Sequence, residues 1–564
     1  KMVQFDKNDV ETLGLVKLDV LGLRMLASLS EGRELLARHI NTDIDLDHLP
    51  LDDPKVYDLI CSNSTVGLFQ IESQGQIHLL AVNQPRTFDD LVAEIALFRP
   101  GPLQGGMVHP FINRRKGREP IEYDHPDLEP VLADTYGIIL FQEQVLEVAH
   151  RFAGMTLSEA DDFRALMSKY RDANEMENMR DKFVSGAMNR GVSELTANTV
   201  FDRVSKFVGY GFCRSHAAAF AKIVYLSAWM KCYYSAAYMA AIMQHRPGMY
   251  SLMTLEQEAK RWQVPIQLPD INRSGTRYDL VKTDNAMFAV LKPLTSIDHV
   301  SKNIAQDIVR QRMVADYTSV EDLYGRVAMP RDALETLARS GALDSIAASS
   351  RGALWDIGIL SRRLGITAQE RDRALFHMPV VSLQDIPGLP ELSAPERLSW
   401  DYQTHHAARV HPISLIRRSL SEYGILPISA CRRLIPLDDR ASPMIVEVTG
   451  NIIMRQRPPT ANGMMFLTLE DETGFIQCVL APPVQEAFDH LLILPTLTIQ
   501  GILQAASHWR GLVAGKIWPV RGVLGGYSGY PSQAGGQEQL NKDQPLSEPN
   551  TNDENKDTGL AEAI

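Results

Sequence analysis

The segment Gly209–His216 combines residue types that can bind phosphate groups. It contains two glycines, and Arg214, Ser215 and His216 then lead into an alanine-rich apolar stretch. A glycine-rich loop that enters a helix can point backbone N–H groups and the positive end of the helix dipole at an anion. The segment therefore predicts a phosphate-contacting loop. The alternative is a tight turn that only packs against the apolar helix.

A carboxylate and an ammonium group stand close together near the start of the sequence. Lys17 and Asp19 fall in Leu15–Val20, a segment whose apolar spacing predicts a strand. Hard divalent cations prefer oxygen ligands, and two-metal sites stabilise both the attacking and the leaving oxygens of a phosphoryl transfer. The pair thus suits a Mg²⁺–triphosphate site. A single aspartate on a strand is, however, also commonly a solvated or capping residue.

Two further groups of charged residues can be interpreted either as functional sites or as ordinary surface segments. The run Thr42–Asp47 alternates Asp with Ile and Leu, so it resembles paired metal-binding carboxylates but also an edge segment with its polar side outward. A basic cluster predicts contact with the backbone of a nucleic-acid duplex, and its alternative is a solvated surface loop. The cluster consists of Arg99, Arg114, Arg115, Lys116 and Arg118.

Helices and one β-rich region must position these residues. Apolar spacing predicts helices over 21–37, 52–60, the stretch after Phe88, 138–152 and 157–170, with Ser158 as the N-cap of the last. The alanine-rich stretch 217–243 predicts a buried helix pair, and 298–344 predicts short helices. Residues 444–520 alternate β-branched runs with Gly, Asn and Pro, which predicts a small all-β barrel.

Composition excludes several classes of protein. The 564 residues are 45% hydrophobic and 22% charged, and no apolar run is long enough for a membrane span. The five cysteines are scattered without a paired motif, which argues against a zinc site or a disulfide framework. Such cysteine usage is typical of proteins in a reducing cytoplasm. Seven acids and two lysines in 524–564 give that segment −5 of the net charge of −12, and its low apolar content predicts disorder. The residues before 524 carry the remaining net charge of −7, which is compatible with local basic grooves on their surface.

Motifs spread along the chain resemble those of the bacterial C-family DNA polymerases. They are Lys17–Leu23, Gly67–Ser73, Phe98–Pro102, Tyr136–Gln144 and Gly209–Ala218, and they follow the order of the family. The resemblance extends from about Met2 to Val520. It is closer to the error-prone DnaE type than to the replicative alpha subunit, on the residues Gln104–Pro110 and His411-Pro412.

The resemblance implies an α+β multidomain fold. Its parts would be the C-terminal piece of a polymerase palm (1–36), large and mainly helical fingers (37–290), a helix-hairpin-helix-like module (291–346), a linker (347–443), a C-terminal β-barrel of the OB fold (444–522) and an acidic tail (523–564). OB barrels bind single strands through basic and aromatic side chains. Phe466 and Trp509 are candidates for such contacts, and core packing is their alternative role.

The activity implied by the resemblance is template-directed nucleotidyl transfer in error-prone or translesion DNA synthesis. Asp19 would hold Mg²⁺ and Lys17 would steady the triphosphate. The nucleotide would be lined by Arg164, Lys169, Arg214, Ser215 and His216, and the basic cluster would bind template–primer DNA. The partners would be DNA, deoxynucleoside triphosphates and, through further contacts, a sliding clamp or damage-response proteins, in the bacterial cytoplasm. No clamp-binding peptide is evident.

Departures from the family pattern set the remaining expectations. The catalytic D-x-D pair of the family lies upstream of Lys17–Leu23, so we expect the Asp43–Asp47 run to be non-catalytic and this chain to be an incomplete polymerase that is inactive alone. The alternative is a non-catalytic DNA-binding remnant. Arg164 is followed by Ala165 where the family has paired arginines, which weakens triphosphate contact. Ser296–His299 replaces the glycines of the hairpin, which puts its duplex binding in doubt.

Overall fold

The computed structural model describes residues 4–16, 18, 22–62, 64–98, 106–167, 173–205, 212–284, 287–364, 388–434, 444–458, 461–506 and 509–520. These ranges form a helical part up to residue 261, a small sheet with a second group of helices up to 434, and a β-barrel from 444. The tail predicted to be disordered, 525–564, lies outside them. None of the described helices is long and apolar enough to cross a membrane.

The helical part contains the largest hydrophobic core of the described residues. Its helices are α1 (Lys7–Thr12), α2 (Arg24–Ile40), α3 (Pro54–Ile60), α4 (Gln74–Asn83), α5 (Phe88–Leu97), α6 (Val108–Arg115), α7 (Glu129–Leu132), α8 (Gln142–Arg151), α9 (Leu157–Met167), α10 (Ala173–Asn189), α11 (Glu194–Ser205), α12 (Arg214–Tyr233), α13 (Ser235–His245) and α14 (Leu252–Arg261). The predicted helix pair is confirmed as α12 and α13, whose buried alanines allow α12 to lie close to its neighbours.

Most predicted helices of this part are confirmed with shifted ends. The helix predicted over 138–152 begins only at Gln142, because Phe141 is extended and pairs with Phe212. The helix predicted from 157 is α9, and its N-cap is Thr156 rather than Ser158. The Thr156 hydroxyl accepts from the Glu159 N–H at 3.3 Å, while the Glu159 carboxylate accepts from the Thr156 N–H at 2.9 Å.

The strand predicted over 15–20 is wrong for its described residues. Leu15, Val16 and Leu18 are not in a strand, and all three side chains are exposed. An isolated strand needs a neighbour to satisfy its backbone groups, and no described strand pairs with these residues. The other residues of the segment, including Lys17 and Asp19, lie outside the described ranges.

A three-stranded sheet follows the helical part. Strand β3 (Phe288–Leu291) is central, with β1 (Ile266–Gln267) parallel to it and β2 (Asp279–Lys282) antiparallel. The next helices are α15 (Lys302–Arg312), α16 (Val320–Arg326), α17 (Arg331–Arg339), α18 (Ser350–Leu364), α19 (Ala394–His405), α20 (Pro412–Glu422) and α21 (Ile428–Leu434). The short helices predicted over 298–344 are therefore confirmed.

The loop that replaces the hairpin glycines is bound to helix α19. Asp298 donates its backbone N–H to the Thr404 carbonyl at 3.0 Å, and its carboxylate lies 3.0 Å from His406 Nε2. His299 has a φ of 63°, a left-handed conformation that a histidine adopts less readily than glycine. The fold of the module thus persists with side-chain contacts in place of the glycines, and its duplex binding stays a prediction.

The predicted barrel is confirmed as a closed five-stranded barrel of the OB type. Its strands are β4 (Met444–Gln456), β5 (Met465–Asp471), β6 (Gly474–Leu480), β7 (Thr496–Ala506) and β8 (Trp509–Trp518), in the order β4-β5-β6-β8-β7, with helix α22 (Pro482–Phe488) after β6. The parallel pairing of Cys478 with Leu512 joins β6 to β8, and β4 pairs with β7 to close the barrel. Phe466 is partly buried and packs with Val479 and Met464, so core packing is at least part of its role.

Helix α14 connects the helical part to both later parts through buried charges. Glu258 binds Lys231 of α12 at 2.8 Å, and Glu256 binds Lys292 after β3 at 2.7 Å. Arg261 at the end of the helix binds Glu470 of the barrel at 2.9 Å. Removing one partner from a buried ion pair leaves an uncompensated charge, so these contacts fix the helix to its neighbours.

Candidate functional site

The beginning of helix α12 lies against the beginning of helix α8. Phe141 and Phe212 form a parallel β-bridge, and the Gln142 N–H donates to the Phe212 carbonyl at 3.0 Å. These two contacts bring Glu143 of α8 next to Arg214 of α12. Residues 212–216 of the segment predicted to contact phosphate are therefore placed by a pairing between residues that are 71 positions apart in the chain, and residues 209–211 lie outside the described ranges.

A carboxylate occupies the N-terminus of α12. The Arg214 N–H donates to both oxygens of Glu143 at 3.0 Å, and Cys213 Sγ lies 3.2 Å from Glu143 Oε1. The N-terminus of a helix favours negative charge, because its first N–H groups lack partners within the helix and the helix dipole is positive there. The helix end that the sequence marked as an anion site thus binds an anionic side chain of the same chain.

Arg214 extends from this helix end to a second acidic group. Its guanidinium lies 2.6 Å from Asp134 and 3.9 Å from Asp89, and 5.4 Å from the centre of the Phe141 ring. The side chain is 42% exposed, so a solute can reach it. An exposed ion pair contributes only about 0–1 kcal/mol to stability. Asp134 therefore orients the Arg214 side chain weakly, and the charge of Arg214 stays accessible to solvent.

Arg164 approaches the same point from helix α9. Its guanidinium binds Asp161 at 2.8 Å and donates to the side-chain oxygen of Gln142 at 3.4 Å. Arg164 and Arg214 therefore contact adjacent residues, Gln142 and Glu143, at the first turn of α8. We call Gln142, Glu143, Arg164 and Arg214 the α8 cluster.

The other two predicted residues of this loop have less defined contacts. Ser215 and His216 are both exposed, and Ser215 Oγ lies 2.9 Å from Cys213 Sγ. The His216 ring lies between Phe212 and Phe220, with ring centres 5.1 Å and 4.2 Å away. His216 thus packs against aromatic rings while its edge stays accessible. Lys169, the remaining predicted nucleotide contact, lies outside the described residues.

Two members of the basic cluster are tied to the protein itself. Arg115 binds both oxygens of Asp90 at 3.0 Å and 2.8 Å and donates to the Gln84 carbonyl at 3.2 Å. Arg114 donates to Glu119 at 3.0 Å and to the Tyr136 carbonyl at 3.2 Å. Their side chains are only 13% and 15% exposed, so in this conformation both act as internal braces rather than as surface cations.

Lys116 and Arg118 remain at the surface. Both side chains are exposed, and Lys116 Nζ donates to the Val82 carbonyl. Partial burial lowers the pKa of Lys116, and the charges of Arg118 and Arg115 add to this effect. The predicted DNA contact is therefore reduced, within the described part of the cluster, to these two side chains. Arg99 lies outside the described residues.

The Asp43–Asp47 run has local structural roles. It is not an edge strand but leads into a 3₁₀ turn at Leu46–His48, which Asp45 caps by accepting from the Asp47 N–H. Hydrogen bonds from His48 and from the Asp47 N–H lower the pKa of Asp45. Asp43 binds Arg33 at 2.9 Å. These contacts agree with the interpretation of the run as a surface segment.

The predicted metal ligand cannot be placed in this geometry. No group of three or more His, Cys, Asp or Glu side chains within the described ranges could hold a metal ion. Asp19 and Lys17 lie outside those ranges, so the Mg²⁺ site stays a prediction.

Two family matches define the class of protein. Residues 25–191 match the finger domain of the bacterial DNA polymerase III alpha subunit, and residues 263–354 match a helix-hairpin-helix motif. The first match contains helices α2 to α10, and so includes Arg164, Gln142 and Glu143 of the α8 cluster. Residues 25–191 of the helical part are therefore similar to a polymerase finger domain, and helices α11 to α14 lie beyond the matched residues.

Similar proteins extend this assignment along the chain. The sequence is 35% identical over 547 residues to an error-prone DNA polymerase of Cutibacterium acnes, 39% identical over 530 residues to one of Corynebacterium efficiens, and 39% identical over 505 residues to one of Anaeromyxobacter dehalogenans. These alignments cover 89%, 92% and 86% of this chain, and 47%, 47% and 43% of the relatives. The chain is thus similar along most of its length to bacterial error-prone DNA polymerases, and it spans about half the length of the relatives it matches.

Proposed function

We propose that this chain takes part in template-directed nucleotidyl transfer, in error-prone DNA synthesis of the translesion type. The observation that carries the proposal is that the Arg164 guanidinium and the Arg214 backbone N–H contact adjacent residues at the first turn of α8. This turn lies within the residues that match a polymerase finger domain. The substrates would be template–primer DNA and deoxynucleoside triphosphates. The relatives named error-prone DNA polymerase support the damage-tolerant role.

The α8 cluster supports binding of the triphosphate. Both arginines pair with exposed acids at the protein surface, Arg214 with Asp134 and Asp89 and Arg164 with Asp161. Exposed pairs of this kind are weak, whereas a guanidinium forms strong, paired hydrogen bonds with phosphate oxygens. A triphosphate therefore competes well for both arginines, and the acidic partners keep them oriented in its absence.

Glu143 sets the selectivity of this helix end. Its carboxylate accepts with both oxygens from the first N–H of α12, that of Arg214, so weak anions gain little by replacing it. A triphosphate carries more charge and reaches Arg214 at the same time. Binding of the correct substrate then frees Glu143, which makes the local arrangement of α8 and α12 dependent on the nucleotide.

Magnesium and its ligands belong to the same proposal. Asp19 would contribute a carboxylate to Mg²⁺ and Lys17 would contact the triphosphate; the metal would neutralise charge on the reacting phosphates. The relatives are about twice as long as this chain, and we propose that polymerisation depends on the portion of the relatives that these residues do not match. The 564 residues alone are then expected not to extend a primer.

Primer extension tests the proposed activity. The protein used is a polypeptide as long as the relatives, in which these residues are joined to the portion of the relatives that they do not match. Asp19→Asn should abolish extension, on the order of a thousandfold, because the amide lacks the negative charge that a hard dication requires. Asp45→Asn should have little effect, since Asp45 caps a surface turn.

The opposite pattern contradicts the placement of the metal site. If Asp45→Asn stops extension and Asp19→Asn does not, the carboxylates of the Asp43–Asp47 run are the ligands. If the polypeptide binds template–primer DNA but shows no extension under any condition, the non-catalytic DNA-binding function is correct instead.

A further inference from the structure

A polar cavity lies between the helical part and the barrel. It is formed where the end of α14 and helix α21 meet the turn between β5 and β6, and its volume is about 630 Å³. Arg261, Trp262, Arg432, Thr473 and Phe475 contribute to its walls. Ligand pockets in proteins commonly have volumes of about 300–1,000 Å³, so the cavity can hold a molecule much larger than water.

Two guanidinium groups lie at one wall of this cavity. The Arg261 and Arg432 guanidinium carbons are 5.4 Å and 6.0 Å from the centre of the Phe475 ring. Arg261 binds Glu470 at 2.9 Å, while its Nε atom is buried without a hydrogen-bond partner. A buried donor without a partner is uncommon in proteins, so a ligand oxygen in the cavity would satisfy a group that the chain leaves unpaired.

Arg432 has fewer carboxylate partners for its charge than Arg261. Among the described residues it makes no ion pair within 4 Å, although it lies in a partly enclosed site. Burial lowers the pKa of Arg432, and the neighbouring Arg261 charge lowers it further. Two like charges held together in this way are stabilised when an anion lies between them.

The nearby carboxylates do not cancel this preference for an anion. Glu258 binds Lys231 at 2.8 Å, and Glu470 binds Arg261 at 2.9 Å. Glu258 also lies 3.5 Å from Arg261. Lys231 and Arg261 thus share the two acids, and Arg432 remains in excess. Trp262 adds an aromatic wall, and its indole N–H is already used by Glu258 at 2.9 Å. The wall can therefore contact a flat apolar group rather than a further acceptor.

We propose that this cavity binds a nucleotide, with its phosphate between Arg261 and Arg432 and its base along Trp262. The nucleotide can be free or can belong to a single DNA strand that crosses from the fingers to the barrel, since both offer the same phosphate and base. The cavity shares no residue with the α8 cluster. Its occupancy is therefore independent of the proposed polymerase reaction and goes beyond it.

Calorimetric titration of the 564-residue chain tests the site with three probes. They are inorganic phosphate, deoxyadenosine monophosphate and a short oligothymidylate. Arg432→Glu reverses the uncompensated charge, and Arg433→Glu is the matched control, because Arg433 is the next residue of α21 and is exposed. Arg432→Gln removes the charge without reversing it and replaces Arg432→Glu if that variant fails to fold, as judged by circular dichroism.

The chain and Arg433→Glu should bind the mononucleotide equally, and Arg432→Glu should bind it roughly tenfold to a hundredfold more weakly, the loss expected for hydrogen bonds between charged groups. Tighter binding of the oligothymidylate would assign the site to a strand, and tighter binding of the mononucleotide to a free ligand. Three results overturn the proposal: no binding of either nucleotide probe, equal weakening by both charge reversals, or inorganic phosphate binding as tightly as the nucleotide. None of these three results bears on binding at the α8 cluster, which depends on Arg214 and not on Arg432.

Discussion

Glu143→Gln should increase the affinity of the chain for a deoxynucleoside triphosphate. The Glu143 carboxylate accepts from the Arg214 N–H at 3.0 Å and so occupies the helix end that a phosphate needs. The glutamine variant keeps an oxygen acceptor of the same size and removes only the negative charge. The change therefore separates electrostatic competition from loss of packing.

The size of the effect follows from Coulomb's law. A phosphate that reaches the first turn of α12 comes within about 4 Å of the carboxylate, where two unit charges repel by about 1 kcal/mol in water and by about 4 kcal/mol at an effective dielectric constant of 20. Because Glu143 is exposed, the lower figure applies. Removing this repulsion should raise the affinity about fivefold.

The same variant should slightly destabilise the protein. Glu143 interacts favourably with the dipole of α12, an interaction that contributes about 0.3–1 kcal/mol at an exposed site. The free energy of unfolding should therefore fall by less than about 1 kcal/mol while the nucleotide affinity rises. Affinity and stability moving in opposite directions is a pattern that general disruption of α8 would not produce.

Equilibrium titration at low salt, beside urea unfolding, measures both effects. Glu147→Gln is the matched control, because Glu147 lies one turn further along α8 and binds Arg151 at 2.5 Å instead of α12. It should leave the affinity unchanged. Unchanged or weaker nucleotide binding by a folded Glu143→Gln variant would refute the idea that this carboxylate and the triphosphate compete for one site.

Three further predictions concern stability. Glu258→Gln should lower the free energy of unfolding by about 3–5 kcal/mol in urea titrations, because Lys231 is fully buried and would lose its charged partner. Burial lowers the pKa of His405 to about 3, so unfolding at pH 5 should require less urea than at pH 7 and this difference should shrink in His405→Phe. Gly501→Ala should destabilise the barrel, since its Cβ would lie 2.2 Å from the Val513 carbonyl oxygen.

The sign of the pH effect follows from the two protonation states. The unfolded histidine has an ordinary pKa of about 6.5, so the unfolded chain binds a proton between pH 6.5 and 3 that the buried His405 does not. Stability is therefore lost as the pH falls through this window. A single such group changes the unfolding free energy by at most about 1.4 kcal/mol per pH unit.

Matched variants control these measurements. Glu335→Gln breaks partly exposed pairs with Arg331 and Arg339 and should cost less than about 1 kcal/mol. Gly515→Ala has its nearest neighbour at 3.7 Å, so it should be tolerated where Gly501→Ala is not. Equal losses within either pair of variants would mean that burial and close packing do not set these costs. His405→Phe leaving the pH dependence unchanged would assign the effect to other groups.

Local periodicity was sufficient to predict most helices and the barrel. The apolar spacing of 217–243 indicated the helix pair, and the β-branched runs after 444 indicated the barrel. The three-stranded sheet was not predicted, because β1 has two residues and β2 and β3 have four each. Strands this short carry too few residues for an alternating pattern, and they are held by pairing with distant segments.

Contacts of individual side chains in the site were also hard to predict where they join distant segments of the chain. The motif around Gly209–His216 indicated Arg214, and the structure shows Arg164 and the Arg214 backbone in contact with adjacent residues of α8, while their common nucleotide site stays a prediction. The role of Glu143 was missed, because its approach to α12 depends on the pairing of Phe141 with Phe212. Arg115 was read as a DNA contact, whereas it braces Asp90, 25 residues away, in the first turn of α5.

Nucleotide binding by Arg214→Ala is the most direct measure of the α8 cluster's function. The chain is titrated with a deoxynucleoside triphosphate beside Arg33→Ala, a control that removes another exposed arginine, bound to Asp43 at 2.9 Å. Arg214→Ala should weaken binding roughly tenfold to a hundredfold, while Arg33→Ala should change it by less than about twofold. Equal affinities for all three proteins, or equal losses in both variants, would contradict the assignment of this helix end to the incoming nucleotide.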